Sequence, residues 1–287
     1  MRLWFDVENG IDVKALIVYG KKGFTLIELL VVIAIIALLL SILMPSLQKM
    51  QMQVKTLVCT VNCRSLSAAW SAYASANDGM IVSSMTGYSS YSNHLSMVPL
   101  LCPNPWVDWA GYPPLEYDDP ADIELQIQTV ERGALYPYVQ TTKAYRCPLS
   151  KKGQAKCYSI SDVMGNIEVA SAPERGGEQL VIKTTQIKLA SGRIVFLDED
   201  DISYGGYSVY YDRASWWDWP PFRHNNGVTL GYADGHADYY KWREKDTLDL
   251  TRKIREDPSS VTVGDLSQPG NEDLIKMQRG IFGALGY

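Results

Sequence analysis

The side chains that could do chemistry in this sequence are its cysteines, its histidines and one run of carboxylates. The three histidines, His94, His224 and His236, are dispersed along the 287 residues, and the five cysteines form no C-x2-C pairs. Zinc sites in sequences are recognised by such short, paired spacings. The sequence therefore predicts no zinc site. It also predicts no enzyme, since it contains neither a nucleophile paired with a base nor a G-x-S-x-G string.

The carboxylate run covers residues 198–201, after a β-rich stretch, and includes Asp198 and Asp200. Together with Asp234 it offers oxygen ligands of the kind that Ca²⁺ prefers. The spacing of an EF-hand is missing, and an acidic run is usually a solvated loop. A Ca²⁺ site at Asp198, Asp200 and Asp234 is therefore kept as a hypothesis, and no other cofactor is expected.

His224 is followed, after nine residues, by Asp234-Gly235, which lies between two β-rich runs. An Asp-Gly pair in this context predicts a hairpin turn in which both positions have positive φ. On this interpretation the His224 side chain is bonded where the first strand begins. The alternative is that the motif binds a metal or takes part in a reaction.

Charge and hydropathy divide the chain into a membrane segment and a polar body. The formal charge is −5, from 27 basic and 32 acidic residues, so there is no broad electropositive surface for nucleic acid. Residues 24–44 are apolar apart from Glu28, and at about 1.5 Å per residue they can cross one bilayer core. Lys21 and Lys22 precede this segment, which places the N-terminus in the cytoplasm and the body outside it.

The helical pattern continues beyond the apolar segment. Pro45 kinks a helix without necessarily ending it. Apolar residues then recur mostly at three- and four-residue steps: Leu47, Met50, Val54, Leu57, Val58, Val61, Leu66, Trp70 and Tyr73. Asn77-Asp78-Gly79 supplies a stop. One helix over residues 24–76 is predicted, and its amphipathic part within residues 45–79 should pack on the body.

The body alternates between loops, strands and short helices. Residues 80–180 are rich in proline and turn residues, whereas residues 181–245 hold β-rich runs and the Asp-Gly hairpin. Residues 246–287 hold two short helices, about 246–256 and 272–283, the second capped by Asn271. The expected fold class is α+β, with one long helix packed on an antiparallel sheet.

Residues 204–222 crowd Trp216, Trp217 and Trp219 together with several tyrosines into a loop that contains glycine and proline. If these rings are exposed, they can stack on a sugar or on a partner protein. If they are buried, they form the core of the loop itself. Both interpretations stay open at the level of sequence.

The junction before the apolar segment reads GFTLIE from Gly23. It resembles the prepilin signature of type IV pilins and type II secretion pseudopilins. The resemblance implies that residues 1–23 are a leader, that a prepilin peptidase cuts between Gly23 and Phe24, and that Phe24 is N-methylated. It also implies that Thr25 and Glu28 serve assembly, with the Glu28 carboxylate neutralising the new terminal amine of its own or a neighbouring subunit.

Further segments resemble a large pilin-like family. The helix carries a Cys-x-x-Asn pattern at Cys59 and Asn62, and Cys147 lies in a Tyr-x-Cys-Pro segment. The His-x9-Asp-Gly pattern that begins at His224 is found near the C-terminus of many such proteins. The resemblance therefore reaches both ends of the chain.

All five cysteines follow the membrane segment, on the predicted external side, where disulfides persist: Cys59, Cys63, Cys102, Cys147 and Cys157. Cys59 and Cys63 are four residues apart on a helix, an awkward geometry for a bond between them. Each is expected to pair elsewhere, and Cys147 is the best partner for fastening the helix to the body. At least one thiol is left over.

These features together predict a pseudopilin or pilin-like subunit of the bacterial inner membrane. It would be a single-pass protein with a cytoplasmic N-terminus and a periplasmic or extracellular body. Its expected partners are the prepilin peptidase and methyltransferase and other pilin-like subunits, which pack through the N-terminal helix into a type II secretion or type IV pilus-like filament. The alternative is a membrane-anchored binding protein that captures a surface polymer or partner with its aromatic loop.

Overall fold

A computed structural model describes residues 24–85, 105–107, 123–200 and 206–287. The leader with Gly23, the histidine His94 and the cysteine Cys102 lie outside these described residues. The chain divides into two compact units, Met1–Lys49 and Met50–Tyr287.

The described part of the first unit belongs largely to helix α1 (Leu26–Ala76). Within this unit the apolar side chains of α1 are exposed, and Pro45 lies inside the helix. An 18-residue window of α1 has a mean hydropathy of 3.2. By length and composition, α1 is long and apolar enough to cross a membrane, as the sequence predicts.

Within the second unit, α1 packs on the body through one face. The buried side chains of this face follow steps of four and three residues: Cys59, Cys63, Leu66, Trp70 and Tyr73. The predicted stripe agrees with this face from Leu66 onward. Its earlier members in this unit are exposed instead: Met50, Val54, Leu57, Val58 and Val61. Both sets satisfy helical spacing, and the packing shows that they form two different apolar faces of one helix.

An antiparallel sheet lies at the centre of the second unit. Its strands in the described chain, in spatial order, are β1 (Tyr158–Ile160), β2 (Ile194–Asp198), β3 (Gly227–Tyr232) and β4 (Ala237–Lys241). The first three strands are fully buried, whereas β4 at the edge is partly exposed. The long helix and the antiparallel sheet confirm the predicted α+β fold class.

One β-rich run does not enter this sheet. Residues 180–183 make isolated bridges, and the Gln186 side chain accepts the N–H groups of Ile182 and Lys183 at 2.8 Å. These donors are therefore paired locally instead of in a strand ladder. Conversely, β1 lies in the stretch 80–180, where the sequence predicts mainly loops.

Gly231 of β3 lets α1 approach the sheet closely. A Cβ atom at this position would lie 2.4 Å from Ser67 Oγ and 3.1 Å from the Cys63 carbonyl oxygen. The core that joins helix and sheet around this contact includes Leu66, Trp70, Trp106, Tyr145, Val195 and Phe196. The close approach brings the Cys59–Cys63 turn of α1 against the middle of the sheet.

Short helices flank the sheet. Helices α2 (Ile123–Arg132) and α3 (Tyr136–Val139) precede β1, and α4 (Lys245–Glu256), α5 (Val263–Leu266) and α6 (Glu272–Phe282) follow β4. The Asn271 side chain caps α6 by accepting the Leu274 N–H at 2.9 Å, as predicted. A second core joins these C-terminal helices to the sheet, and includes Trp216, Trp242, Leu274, Met277 and Ile281.

Candidate functional site

The first turn of α1 is closed by Thr25 and Glu28. The Glu28 carboxylate accepts the Thr25 N–H at 2.9 Å and the Thr25 hydroxyl at 2.8 Å, and Thr25 Oγ1 accepts the Glu28 N–H at 3.2 Å. This reciprocal pair is a capping box. The Thr-x-x-Glu spacing of Thr25 and Glu28 is the sequence signal of a capping box. The prepilin resemblance does not by itself predict this structural role.

The capping box gives the Glu28 carboxylate a partner within its own chain. Phe24, whose side chain is 70% exposed, immediately precedes the box. A pairing of Glu28 with the terminal amine of Phe24 would therefore add to an existing contact. That pairing stays a prediction.

The two ends of the His-x9-Asp-Gly motif lie at opposite ends of β3. His224 precedes the strand, which begins at Gly227, and Asp234 follows its end at Tyr232. The 6 residues of the strand, at about 3.3 Å each, separate the two ends by roughly 20 Å. The nine residues between His224 and Asp234 are therefore strand β3 together with the few residues before and after it. The two side chains do not belong to one site.

Asp234-Gly235 forms the turn between β3 and β4, but not with the predicted geometry. Gly235 has a φ of +89°, whereas Asp234 is not among the residues with positive φ. The Gly235 N–H donates to the Tyr232 carbonyl at 3.0 Å, and the Tyr232 N–H donates to the His236 carbonyl at 2.9 Å. The loop therefore has three residues and only its glycine is left-handed, so the expectation of positive φ at both positions is wrong.

The backbone after His224 turns the chain into β3. Asn225 and Asn226 have positive φ values of 54° and 58°, a conformation in which asparagine is enriched. The Tyr239 hydroxyl of β4 donates to the His224 carbonyl at 2.6 Å, and the Trp242 N–H donates to the Asn226 carbonyl at 3.0 Å. These contacts hold the His224 imidazole fully buried against α1.

The His224 imidazole contacts side chains that are distant in the sequence. Its Nδ1 lies 3.2 Å from Thr56 Oγ1 on α1, and its Nε2 lies 3.4 Å from Cys147 Sγ and 3.3 Å from Asp198 Oδ2. The Thr56 hydroxyl donates to the Met52 carbonyl, so its oxygen accepts a hydrogen bond from the Nδ1–H of His224. Nε2 also faces two acceptors. The contacts therefore favour a doubly protonated, cationic ring.

The electrostatics of the cluster agree with this protonation state. Burial opposes the charged ring, but the contacts with Asp198 and Cys147 outweigh burial and raise the pKa of His224 to about 10. The hydrogen bond from the Cys59 thiol, and after it the contact with His224, lowers the pKa of Cys147 below that of an ordinary thiol. The same sulfur–sulfur contact raises the pKa of Cys59. In the reduced chain these contacts therefore favour the thiolate form of Cys147 over that of Cys59.

Cys59 and Cys147 meet at this imidazole. Their Sγ atoms are 2.9 Å apart, both side chains are fully buried, and the Leu149 N–H donates to Cys147 Sγ at 3.2 Å. One turn along α1, the Asn62 amide donates to the Arg146 carbonyl at 3.1 Å. The Cys-x-x-Asn pattern therefore holds two consecutive residues of the Tyr-x-Cys-Pro segment against the helix.

The other described cysteines are buried in different places. Cys63 Sγ lies 3.5 Å from Thr229 Oγ1 on β3, and Cys157 Sγ donates to Gln154 Oε1 at 3.9 Å. Cys59 and Cys63 thus face different partners, although they lie on the same face of α1. Among the described cysteines, the structure brings Cys59 and Cys147 together.

The three carboxylates considered for Ca²⁺ do not converge. Asp198 Oδ1 accepts the N–H and the hydroxyl of Thr229, and Asp200 pairs with the Arg223 guanidinium at 2.9 Å. Asp234 lies in the β3–β4 turn, at the other end of the strand. Ca²⁺ needs several oxygens around one point, and these three groups do not supply them.

Cys59, Cys147 and His224 place their ligand atoms within 4.8 Å of one another, as a metal site would require. However, the sulfur separation of 2.9 Å is shorter than the about 3.8 Å between two thiolates on tetrahedral zinc with bonds of 2.3 Å. The spacing of the two sulfurs therefore does not fit tetrahedral zinc.

The described part of the aromatic loop lies mostly inside the fold. Trp216 is fully buried, and its Nε1–H donates to Gln268 Oε1 at 2.9 Å. Trp219 is half-buried, and Trp217 is 41% exposed beside the ring of Tyr210. The rings therefore serve mainly as core, and Trp217 is the one of the three tryptophans left largely accessible.

The Cys147–His224 pair is not open to a substrate. A catalytic triad places its acid on the second ring nitrogen, whereas Asp198 and Cys147 face the same Nε2 atom. Both side chains are fully buried, and neither lines the cavity of about 510 Å³ beside Tyr232 or the one of about 110 Å³ beside Trp219.

Residues 19–44 match the family model of the prokaryotic N-terminal methylation motif. Comparison with curated proteins and with solved structures finds no match for the chain. The motif confirms the prepilin resemblance of the N-terminal segment, whereas the C-terminal His-x9-Asp-Gly pattern lies outside the matched residues. Together with α1, the motif fits a membrane-anchored, single-pass protein of the pilin or pseudopilin type and points to a structural subunit.

Proposed function

We propose that this chain is a pseudopilin or pilin-like subunit. A prepilin peptidase cleaves it between Gly23 and Phe24, Phe24 is methylated, and the subunit assembles through α1 into a type II secretion or type IV pilus-like filament. The methylation motif over residues 19–44 carries this proposal. Because Lys21 and Lys22 hold the N-terminus in the cytoplasm, the body lies on the periplasmic or extracellular side of the bacterial inner membrane.

The exposed apolar surface of α1 supports the assembly step. All described residues of the first unit are exposed, and lipid can cover their apolar side chains before assembly. In the second unit Val54, Leu57 and Val61 are also more than half exposed, at 59%, 63% and 53%. A continuous apolar face on an otherwise polar body indicates a partner. The α1 helices of neighbouring subunits offer a surface of the same apolar chemistry.

The charges at the start of α1 fit a cleaved N-terminus. A free amine at Phe24 would lie at the partially positive end of the helix dipole, which is unfavourable for a cation. The Glu28 carboxylate, fixed by Thr25 within the first turn, supplies the compensating negative charge. The capping box therefore holds the carboxylate where the new amine appears.

Mass spectrometry of the mature N-terminus tests the proposal. The expected mature chain begins with methylated Phe24, and this species should be missing from cells that lack the prepilin peptidase. A Lys22→Gln variant, which keeps Gly23 and Phe24, should still be cleaved at the same bond. A mature chain that begins after Met44 would overturn the proposal, since it would show that the apolar segment is a secretory signal peptide.

A further inference from the structure

We propose that Cys59 and Cys147 form a disulfide that fastens α1 to the Tyr-x-Cys-Pro segment, and that His224 and Asp198 are positioning residues that hold Cys147 as the attacking thiolate while this bond forms. The proposal gives the histidine of the His-x9-Asp-Gly motif a role in maturation of the body. It rests on the proposed function for one point, the location of the body outside the cytoplasm, where disulfides persist.

The geometry already aligns the two sulfurs. They are 2.9 Å apart, and small side-chain rotations bring them to the about 2.05 Å of a disulfide. The Asn62 contact to the Arg146 carbonyl holds the backbone of the segment beside the helix while they do so. The two cysteines are 88 positions apart, so the bond would close a long loop and constrain the unfolded chain strongly.

The charges around Cys147 are unequal in the reduced state. Several titratable groups face Cys147 or its immediate partners: Cys59 and Cys63 on α1, Cys157 and Tyr158 at the start of β1, Asp198 on β2, Asp200 and Tyr207 after it, Arg223 and His224 before β3, and Tyr239 on β4. Of the cations, His224 directly contacts the thiolate, and it contacts the Asp198 carboxylate as well. Two buried anions therefore share one imidazolium.

Oxidation removes this imbalance. A disulfide is neutral, so after the bond has formed His224 is left with one anionic partner, Asp198, which Thr229 holds through its N–H and its hydroxyl. Buried charge is least costly when it is paired one to one and hydrogen-bonded. The cluster thus activates Cys147 when reduced and keeps a one-to-one ion pair between His224 and Asp198 when oxidised.

The reaction is a thiol–disulfide exchange in two steps. The Cys147 thiolate attacks one sulfur of an external disulfide donor, either a protein thiol oxidase or oxidised glutathione, and the other sulfur leaves as a thiolate. Cys59 then gives its proton to a departing thiolate, and its sulfur attacks Cys147 and displaces the donor's second sulfur. Two cysteine thiols are oxidised and one donor disulfide is reduced to two thiols. Because the pair is fully buried in the folded chain, the donor reacts before α1 has docked on the body, while Cys147 already lies beside His224.

Counting free thiols in the full chain tests the bond. Membranes are quenched with acid, denatured, and treated with a maleimide that adds a large polymer to each free thiol. The wild type is expected to show two fewer reactive thiols than after reduction. Cys59→Ser and Cys147→Ser should each release the partner thiol and show one more reactive thiol than the wild type. The matched control Cys63→Ser, on the same helix face, should show one fewer.

A wild-type chain whose thiols all react without reduction would overturn the proposal. Zinc released on denaturation together with reactive Cys59 and Cys147 would overturn it as well, in favour of a metal site. The result is separable from the proposed function. A missing bond in a chain that begins with methylated Phe24 refutes this inference alone, and a bond in a chain that begins after Met44 refutes the proposed function alone.

The role of His224 is tested in the reduced full chain by the ultraviolet absorbance of the thiolate as pH is raised. The step of the Cys59–Cys147 pair is read as the difference between wild type and Cys147→Ser. This step is expected about 1 to 3 pH units below the about 8.5 of an ordinary cysteine, because an opposite charge in contact stabilises the thiolate by that amount. In His224→Gln the step should move to higher pH than in the wild type, although the contact with Cys59 still lowers it, whereas His236→Gln, at the exposed turn, should leave it unchanged. A wild-type step at or above the ordinary value contradicts the role whether or not the variant folds.

Discussion

At the scale of single residues, the two ends of the His-x9-Asp-Gly motif have separate structural roles. His224 is buried against α1, between a sulfur, a carboxylate and a hydroxyl. Gly235 lies in a turn that needs a left-handed residue, and Asp234 accepts the His236 N–H at 3.1 Å in the same turn. The length of β3 accounts for the distance between them.

We expect Gly235→Val to lower the free energy of unfolding by about 1–3 kcal/mol, because a β-branched residue is strained at positive φ. No atom lies within 4 Å of the Cβ position, so the loss would come from the backbone alone. Asp234→Asn, which keeps an oxygen for the His236 N–H, should change the stability by less than about 0.5 kcal/mol. Thermal melts of the full chain in detergent measure both. A damaging Asp234→Asn with a harmless Gly235→Val would indicate that the aspartate has a chemical role.

Glu28 has two possible roles that the right variants separate. Glu28→Gln keeps the side-chain oxygen that closes the capping box but removes the charge, and glutamine is accepted at this position of the box. We expect this variant to be inserted and cleaved but to lose most inter-subunit crosslinks, because a carboxylate in a spanning segment is costly and needs a charged partner. Thr25→Ser, which keeps both the cap and the charge, should assemble normally. Undiminished crosslinking of Glu28→Gln would show that the residue is a helix cap only.

At the scale of elements, α1 has two apolar faces in the second unit. One face, from Cys59 to Tyr73, is buried against the sheet, and the other, from Met50 to Val61, is exposed. The hydrophobic pattern alone merges them into one stripe, because both follow three- and four-residue steps. The exposed face is the part of this helix available for contact with other subunits.

We expect Leu57→Lys to reduce inter-subunit crosslinking severalfold, since it places a charge in the exposed apolar face. Leu57 is 63% exposed, so the fold of the body should be unaffected. Gln53→Lys, also on an exposed position of α1, is the matched control and should assemble like the wild type. Crosslinking in membranes, together with a melt of each variant, checks the result. Equal crosslinking in both variants would show that this face is not an assembly surface.

At the scale of the whole molecule, the body depends on how closely α1 approaches β3. Ser67 Oγ is buried without a hydrogen-bond partner among the described residues, directly over the Gly231 position. Glycine at 231 thus serves helix–sheet packing and not a turn. The same approach sets the distance at which Cys59 and Thr56 reach the Cys147–His224 cluster.

We expect Gly231→Ala to destabilise the body by about 1–3 kcal/mol through overpacking. Adding Ser67→Ala removes the nearest clashing atom, at 2.4 Å, and should recover part of the loss, while Ser67→Ala alone should be nearly neutral. Gly264→Ala is the matched control, because its Cβ would meet only Thr262 Oγ1, at 3.6 Å. No recovery in the double variant would show that the two positions are not in contact.

The sequence by itself determined the elements that depend on local chemistry. The prepilin junction, the apolar length of α1, its end before Asn77-Asp78-Gly79, the β3–β4 hairpin and the Asn271 cap are set by residues within a few positions of one another. Such features follow from hydrophobic period, capping and turn propensity, which are short-range. The sequence also predicts that Cys147 lies beside a cysteine of α1, because the chain has few cysteines.

Only the tertiary structure decided which distant side chains meet. Thr56, Cys147, Asp198 and His224 come from α1, a loop, β2 and the entry to β3, and no local pattern relates them. The choice between the two apolar faces of α1, the burial of Trp216 and the exclusion of residues 180–183 from the sheet are of the same kind. Each of these outcomes depends on the packing of one element against another. A hydrophobic or β-rich sequence pattern indicates that a surface is buried, but it does not identify the element that packs on it.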